Sequence, residues 1–297
     1  MPWYVYSILS SVSLVGLYLC IKWLSFKGFP SKQILLFMVG FALIGFFGAT
    51  TPYLHSIFNS DRFFSFLGAA AFAGIFASIG HWADFEAIGR APNPGYATSI
   101  RNTSILPVTI LSVFVFDSSF HLIRLVGVFL ILTGIVTLLV EKKTEAEEEK
   151  NGQPAKKSWV PQAFIALTGY TLAVLGMKKA TLLGFAPPEI CLVIYIINFI
   201  FFLVICRNEL RGYFEDKIRL KFFLPIVLMC AFFSFTLNLL NVKAISLAPN
   251  PGYHEAIRNT NVLFITLLAI PLFSASLNKQ KMIGIVSTVA GIIVLVI

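Results

Sequence analysis

Acidic side chains are scarce in this chain. It holds 14 Asp and Glu against 23 Lys and Arg, and charged residues of every kind make up 12% of its 297 positions. Soluble domains carry about 25% charged residues. A water-soluble globule with so few charges cannot cover a chain that is 57% hydrophobic and contains 30 phenylalanines. A cytosolic enzyme and a disordered protein are therefore excluded. Cysteine is scarce too. Cys20, Cys191, Cys206 and Cys230 lie in or beside apolar runs without a CxxC pair, so they read as small packing residues rather than zinc or redox groups. No Walker-type loop, HExxH or GxSxG is present. No catalytic activity, cofactor or metal is expected. The start of the chain lacks a basic stretch, and its apolar run ends in Lys22 and Trp23, so it does not read as a cleaved signal.

What is present is apolar length. A helix needs about 20 apolar residues to cross a bilayer. Such runs occupy 3–24, 33–54, 63–90, 94–116, 121–140, 160–183, 187–206, 222–247, 251–273 and 279–297. They are continuous rather than alternating, which excludes barrel strands. The charged stretch 141–158, with Gly152 and Pro154, reads as a flexible linker and divides the chain almost in half.

The halves are copies. AIGRAPNPGYATSIRNT (87–103) matches AISLAPNPGYHEAIRNT (244–260) at a constant offset of 157 residues. Each half is thus a five-helix repeat, 1–140 and 159–297. An odd number of crossings makes the second copy enter from the opposite side. The expected fold class is an all-α integral membrane protein of ten transmembrane helices in two inverted five-helix repeats. Transporters of this layout bind substrate near the midplane between the repeats.

The paired motif suggests a site. Pro92 and Pro94, like Pro249 and Pro251, cannot sit inside a continuous helix. With Gly95 and Gly252 they mark turns before the fourth and ninth helices, placed to act as gates. Arg101 and Arg258 follow seven residues after Pro94 and Pro251, roughly 10 Å into the membrane at 1.5 Å per residue. Intramembrane arginines are costly and mark function by default. Tyr96, Tyr253, Asn238, Asn241 and Trp82 are further candidates for substrate contact, and Tyr195 and Asn198 for cavity lining. Asp84, Glu86, Glu255, Lys243 and His81 are candidates for proton coupling or charge pairing.

These features resemble the drug/metabolite transporter superfamily, and within it the EamA-like branch. The resemblance rests on NPGYATSIRNTSILPVTILSVFVF (93–116) and NPGYHEAIRNTNVLFITLLAI (250–270). The glycine-bearing last helices RLVGVFLILTGIVTLL (124–139) and KMIGIVSTVAGIIVLV (281–296) extend it. It implies an exporter or exchanger of a small polar metabolite, such as an amino acid or another anionic or zwitterionic compound. EamA-like repeats often carry a glutamate before their last helix; here the first half has Asp117, and 274–278 holds no acid. A lipid-linked carrier flippase and a non-transporting scaffold are the alternatives.

The net charge of +9 reports topology rather than a polyanionic partner. Arg62, Arg124, Lys178 and Lys179 fall on the side of the termini, and most other basic residues fall on the opposite side. The positive-inside rule then places the linker in the cytoplasm, whereas the family resemblance implies cytoplasmic termini. The expected partners are a small-molecule substrate and the lipid bilayer, without nucleic acid. The expected state is a monomer or homodimer, multi-pass in the inner or plasma membrane.

Overall fold

The computed structural model describes residues 1–58, 60–90, 94–139, 159–207, 217–264, 267–268 and 279–297. Every regular element among them is helical. The first half comprises α1 (Trp3–Phe26), α2 (Ser31–Thr50), the short α3 (Leu54–Phe58), α4 (Phe63–Arg90), α5 (Pro94–Asn102), α6 (Ile105–Phe116) and α7 (Leu122–Leu139). The second comprises α8 (Val160–Leu182), α9 (Pro187–Cys206), α10 (Lys217–Leu247), α11 (Pro251–Arg258) and α12 (Lys279–Val296). The linker 141–158 lies outside the described residues.

Six of these helices are long and apolar enough to cross a membrane: α1, α2, α4, α8, α9 and α10. The stretches Ile100–Phe116, Leu122–Leu138 and Met282–Val296 are shorter apolar helices. Large apolar side chains cover the outside of the bundle, with Phe114 80%, Phe232 63% and Ile283 62% exposed. In water such a surface is a liability; against lipid tails it is the expected exterior.

Local chemistry sets the helix ends. Pro187 and Pro251 begin helices where a missing N–H costs nothing. The turn after α8 passes through Gly184 at φ +93°, and the turn after α1 through Gly28 at φ +77°. These are left-handed positions that glycine adopts without strain.

Two of the expected helices are not continuous. The span expected over 94–116 breaks at Thr103–Ser104, between α5 and α6. The span expected over 251–273 breaks at Asn259–Thr260, where α11 ends; residues 261–264 are helical again, and 265–266 and 269–273 lie outside the described residues. The cause is the same at both places. Thr103 Oγ1 donates to the Ile100 carbonyl at 2.6 Å, and Thr260 Oγ1 to the Ile257 carbonyl at 2.7 Å. The Thr103 and Thr260 amides close the same tight i−3 turns, each at 3.1 Å. Threonine hydroxyls thus compete with the helical ladder for its carbonyls.

The helices pack as a bundle around a central space. α4 lies along α8, α1 along α10, and α9 contacts both α2 and α4. α7 and α12 pair closely. A Cβ on Gly134 would fall 2.7 Å from the Gly284 carbonyl oxygen, and one on Gly291 would fall 2.8 Å from that of Gly127. Backbones approach this closely only where side chains are absent.

Candidate functional site

The bundle surrounds a partly open cavity of about 120 Å³. Its walls come from both halves, and many lining residues occur as pairs at the 157-residue offset. The polar pairs are Arg101/Arg258, Asn102/Asn259, His81/Asn238 and Asp84/Asn241, joined by Ala77/Ser234, Met38/Tyr195 and Leu17/Val174. Both arginines lie in the last turn of a half-helix, just before a threonine break. The breaks therefore bring charged side chains and half-helix ends to the middle of the bundle, where an unbroken helix would present only its flank.

Arg101 is held on every side. Its Nη1 donates to Asp84 Oδ2 at 3.0 Å and to the Tyr18 hydroxyl at 3.2 Å. Its Nε and Nη2 donate to Asn102 Oδ1 at 3.2 and 2.8 Å. The Tyr170 ring faces the guanidinium at 5.9 Å, and the Tyr170 hydroxyl sits 2.8 Å from His81 Nδ1. Asp84 reaches from α4, so one ion pair ties α4 to α5.

Arg258 is held on one edge. Its Nη2 lies 2.6 Å from Glu255 Oε2, one turn back on α11, while its Nε is buried without a partner. Glu255 is buried beneath the arginine and is not part of the cavity wall. Next to it, His254 Nε2 lies 2.6 Å from Asn241 Oδ1 and Nδ1 lies 2.8 Å from Ser7 Oγ, linking α11 to α10 and α1. Asn238 Nδ2 donates to the Tyr195 hydroxyl at 2.7 Å, and Ser78 Oγ donates to Asn198 Oδ1 at 2.6 Å.

Of the residues singled out in the sequence, Arg101, Arg258, Asp84, His81, Asn238, Asn241, Tyr195 and Asn198 line the cavity. Trp82, Glu86, Lys243 and Tyr253 are not among its lining residues. Trp82 is 37% exposed on the outside of α4. Tyr253 is fully buried at the other end of α11, where its hydroxyl accepts from the His121 amide at 3.2 Å. Pro92 and the side chains of Tyr96, Pro94 and Gly95 lie outside the described residues.

The second turn motif is well defined. Asn250 Oδ1 caps α11 by accepting from the Gly252 amide at 2.8 Å, and its Nδ2 donates to the Thr109 carbonyl at 3.0 Å. A Cβ at Gly252 would lie 2.7 Å from Thr109 Cα, so this glycine is what lets α11 start against α6. Pro249 accepts from the Ser119 amide at 3.3 Å. The turn is also fastened from α8. Lys178, counted on the side of the termini, is buried inside α8 and donates to the carbonyls of Ile245 and Ala248.

Sequence reasoning did not single out Tyr18, Tyr170, Asn102 or Asn259 for the site. The asparagines carried a signal, since both belong to the duplicated IRNT block. The tyrosines carried none, because their counterparts at the repeat offset are Leu175 and Ser13.

The arrangement offers buried cations, each balanced by a carboxylate, inside a partly apolar chamber. Among the described residues no cluster of three or more His, Cys, Asp or Glu is placed to hold a metal ion. No known family model matches the chain, and no curated protein matches it. A solved crystal structure that carries no functional name superposes on it with a TM-score of 0.68, covering 98% of this chain and 95% of that one at 13% sequence identity. The likeness at that identity is one of fold.

Proposed function

We propose that the chain is a secondary transporter of a small polar metabolite, an amino acid or another anionic or zwitterionic compound. Its ten spans form two inverted five-helix repeats, 1–140 and 159–297, joined by the linker 141–158, and it works by alternating access as an exporter or exchanger. The observation that carries this reading is the cavity itself: four pairs of its polar lining residues, Arg101/Arg258, Asn102/Asn259, His81/Asn238 and Asp84/Asn241, are related by the repeat offset. A site built in this way lies on the axis that relates the halves, which is where rocking of one half against the other exposes it to each face in turn.

The packing supports the same reading. Exchanging the halves turns the α4–α8 contact into α10–α1, and the α4–α9 contact into α10–α2; both members of each pair are present. The contacts α7–α12 and α2–α9 map onto themselves. The hydrogen bond from Ser287 Oγ to the Leu130 carbonyl joins residues that are themselves 157 apart.

In this reading Arg258 supplies the positive potential that draws an anionic group into the cavity, while Arg101 is bound into its own pair with Asp84. Asp84 and Glu255 act first as their counter-charges, the alternative the geometry favours over free proton carriers. The gates are the Pro249–Gly252 turn and its counterpart at Pro92–Gly95. In this reading the protein lies in an inner or plasma membrane with the linker in the cytoplasm, an orientation supported by the distribution of lysine and arginine.

A thermal-shift screen of the purified protein against amino acids, organic acids and phosphorylated metabolites tests the proposal. A ligand that binds only the folded state raises the melting temperature, and the rise grows with the logarithm of its concentration above Kd. At least one class is expected to do so; a melting temperature unmoved by every class contradicts the proposal.

A further inference from the structure

We propose that the two duplicated arginines have divided their roles: Arg258 receives the anionic group of the transported ligand, and Arg101 is a fixed strut. The inference rests on the transport reading and assigns the ligand contact within it.

A guanidinium carries five N–H donors in a rigid fork, so what it can still bind depends on which nitrogens are already used. At Arg101 every nitrogen has a partner, and the side chain is 9% exposed. Among the described residues Arg258 contacts only Glu255, its Nε is buried without a partner, and the side chain is 19% exposed in the cavity wall. A second unused donor lines the same cavity. Asn102 Nδ2 is buried and unpartnered, on a residue only 1% exposed whose Oδ1 is occupied by Arg101. Unsatisfied buried donors are rare in folded proteins and mark places where a group is missing. Here one comes from each half, and one belongs to a cation. Together they suit the oxygens of a carboxylate or a phosphate.

The sequence explains why identical motifs behave differently. The acid that locks Arg101 is Asp84, on a neighbouring helix; its counterpart in the second half is Asn241, which bonds His254 instead. The acid beside Arg258 is Glu255, three residues back on the same half-helix, where the first half has Thr98. Glu255 occupies one edge of the fork. The Arg258 nitrogens that Glu255 leaves unused are then free to take an anion from the cavity side.

The test uses the full-length protein. Phenylglyoxal labelling, read by peptide mass spectrometry, needs no substrate and reports guanidinium groups with unused nitrogens. Arg258 is expected to label about tenfold faster than Arg101, the factor that corresponds to roughly one charge-assisted hydrogen bond. In parallel, L-alanine, L-glutamate and inorganic phosphate are titrated by calorimetry into wild type, D84N/R101Q and E255Q/R258Q. Each double variant replaces an ion pair by neutral amides, so neither strands a buried charge. D84N/R101Q is expected to keep the wild-type Kd for whichever probe binds, and E255Q/R258Q to weaken it about tenfold or more. The amino acids against phosphate identify the anionic group. Arg101 labelling as fast as Arg258 overturns the inference. So does equal loss of binding in both double variants while circular dichroism shows them folded. If wild type binds none of the probes, the transport reading loses those ligand classes, whereas the labelling still decides between the arginines.

Discussion

Lys178 Nζ donates to the backbone carbonyl of Ile245 at 3.0 Å, and to that of Ala248 at 3.3 Å, from a side chain buried inside α8. It thereby holds the last turn of α10 immediately before Pro249, the residue that opens the second turn motif. The equivalent position in the first half is Ile21, which has no donor to offer. The fastening is thus built on one side of the repeat pair, and the prediction is local. Lys178→Met should cost about 1.5–3 kcal/mol, the worth of a hydrogen bond from a charged group. Amides 250–253 should exchange with deuterium faster than in wild type. Unaltered exchange there would remove the lysine from the gate.

Asp84 and Arg101 form a buried pair that neither residue tolerates losing alone. Asp84→Asn should destabilise the protein by about 3–5 kcal/mol, because it leaves the guanidinium charged and uncompensated. Adding Arg101→Gln should restore most of that loss. Denaturant unfolding of the two single variants and the double variant closes the cycle; additive losses would mean the pair is not coupled.

Gly134 and Gly284 set the distance between α7 and α12. Gly134→Ala places a methyl group within 2.7 Å of the Gly284 carbonyl and should cost about 1–3 kcal/mol through forced separation of the helices. Gly68 has open space around its Cα, so Gly68→Ala is the control and should be neutral or slightly stabilising. Equal melting temperatures for the two variants would contradict the close packing.

The threonine breaks make a prediction of opposite sign for stability and function. Thr103→Val and Thr260→Val each remove the hydroxyl that competes for the carbonyl three residues back. Both variants should fold with unchanged or raised thermal stability; Thr260→Val should also transport more slowly, because a straightened helix turns Arg258 away from the cavity. Full transport in Thr260→Val would show that the break is incidental.

The helix positions were legible because apolar runs of bilayer length leave little choice of element, and α1, α4, α8 and α9 begin within two residues of where those runs place them. The breaks were not, because a threonine in a helix either bends the ladder or is absorbed by it, and the choice depends on what packs beside it. Arg101 and Arg258 stood out through cost and duplication, and the cavity contains both. Their inequality was hidden. The Asp84–Arg101 contact spans 17 residues and a helix boundary, so no spacing rule announces it. Glu255 at three residues before Arg258 is a helical spacing, and that pair was readable. Trp82 and Tyr253 were chosen for their chemistry alone, and chemistry alone does not say which face of a helix a side chain takes.

In the proposed mechanism a ligand crosses the membrane through the cavity at the interface of the halves, held there by Arg258. Counterflow measures this most directly. Proteoliposomes preloaded with unlabelled L-amino acids, organic acids or phosphorylated metabolites are diluted into trace amounts of the same labelled compound. Saturable, protein-dependent counterflow is expected for at least one compound, abolished in E255Q/R258Q and retained in D84N/R101Q. Labelled compound entering no faster than into protein-free liposomes across the whole panel, or full counterflow in E255Q/R258Q, would contradict it.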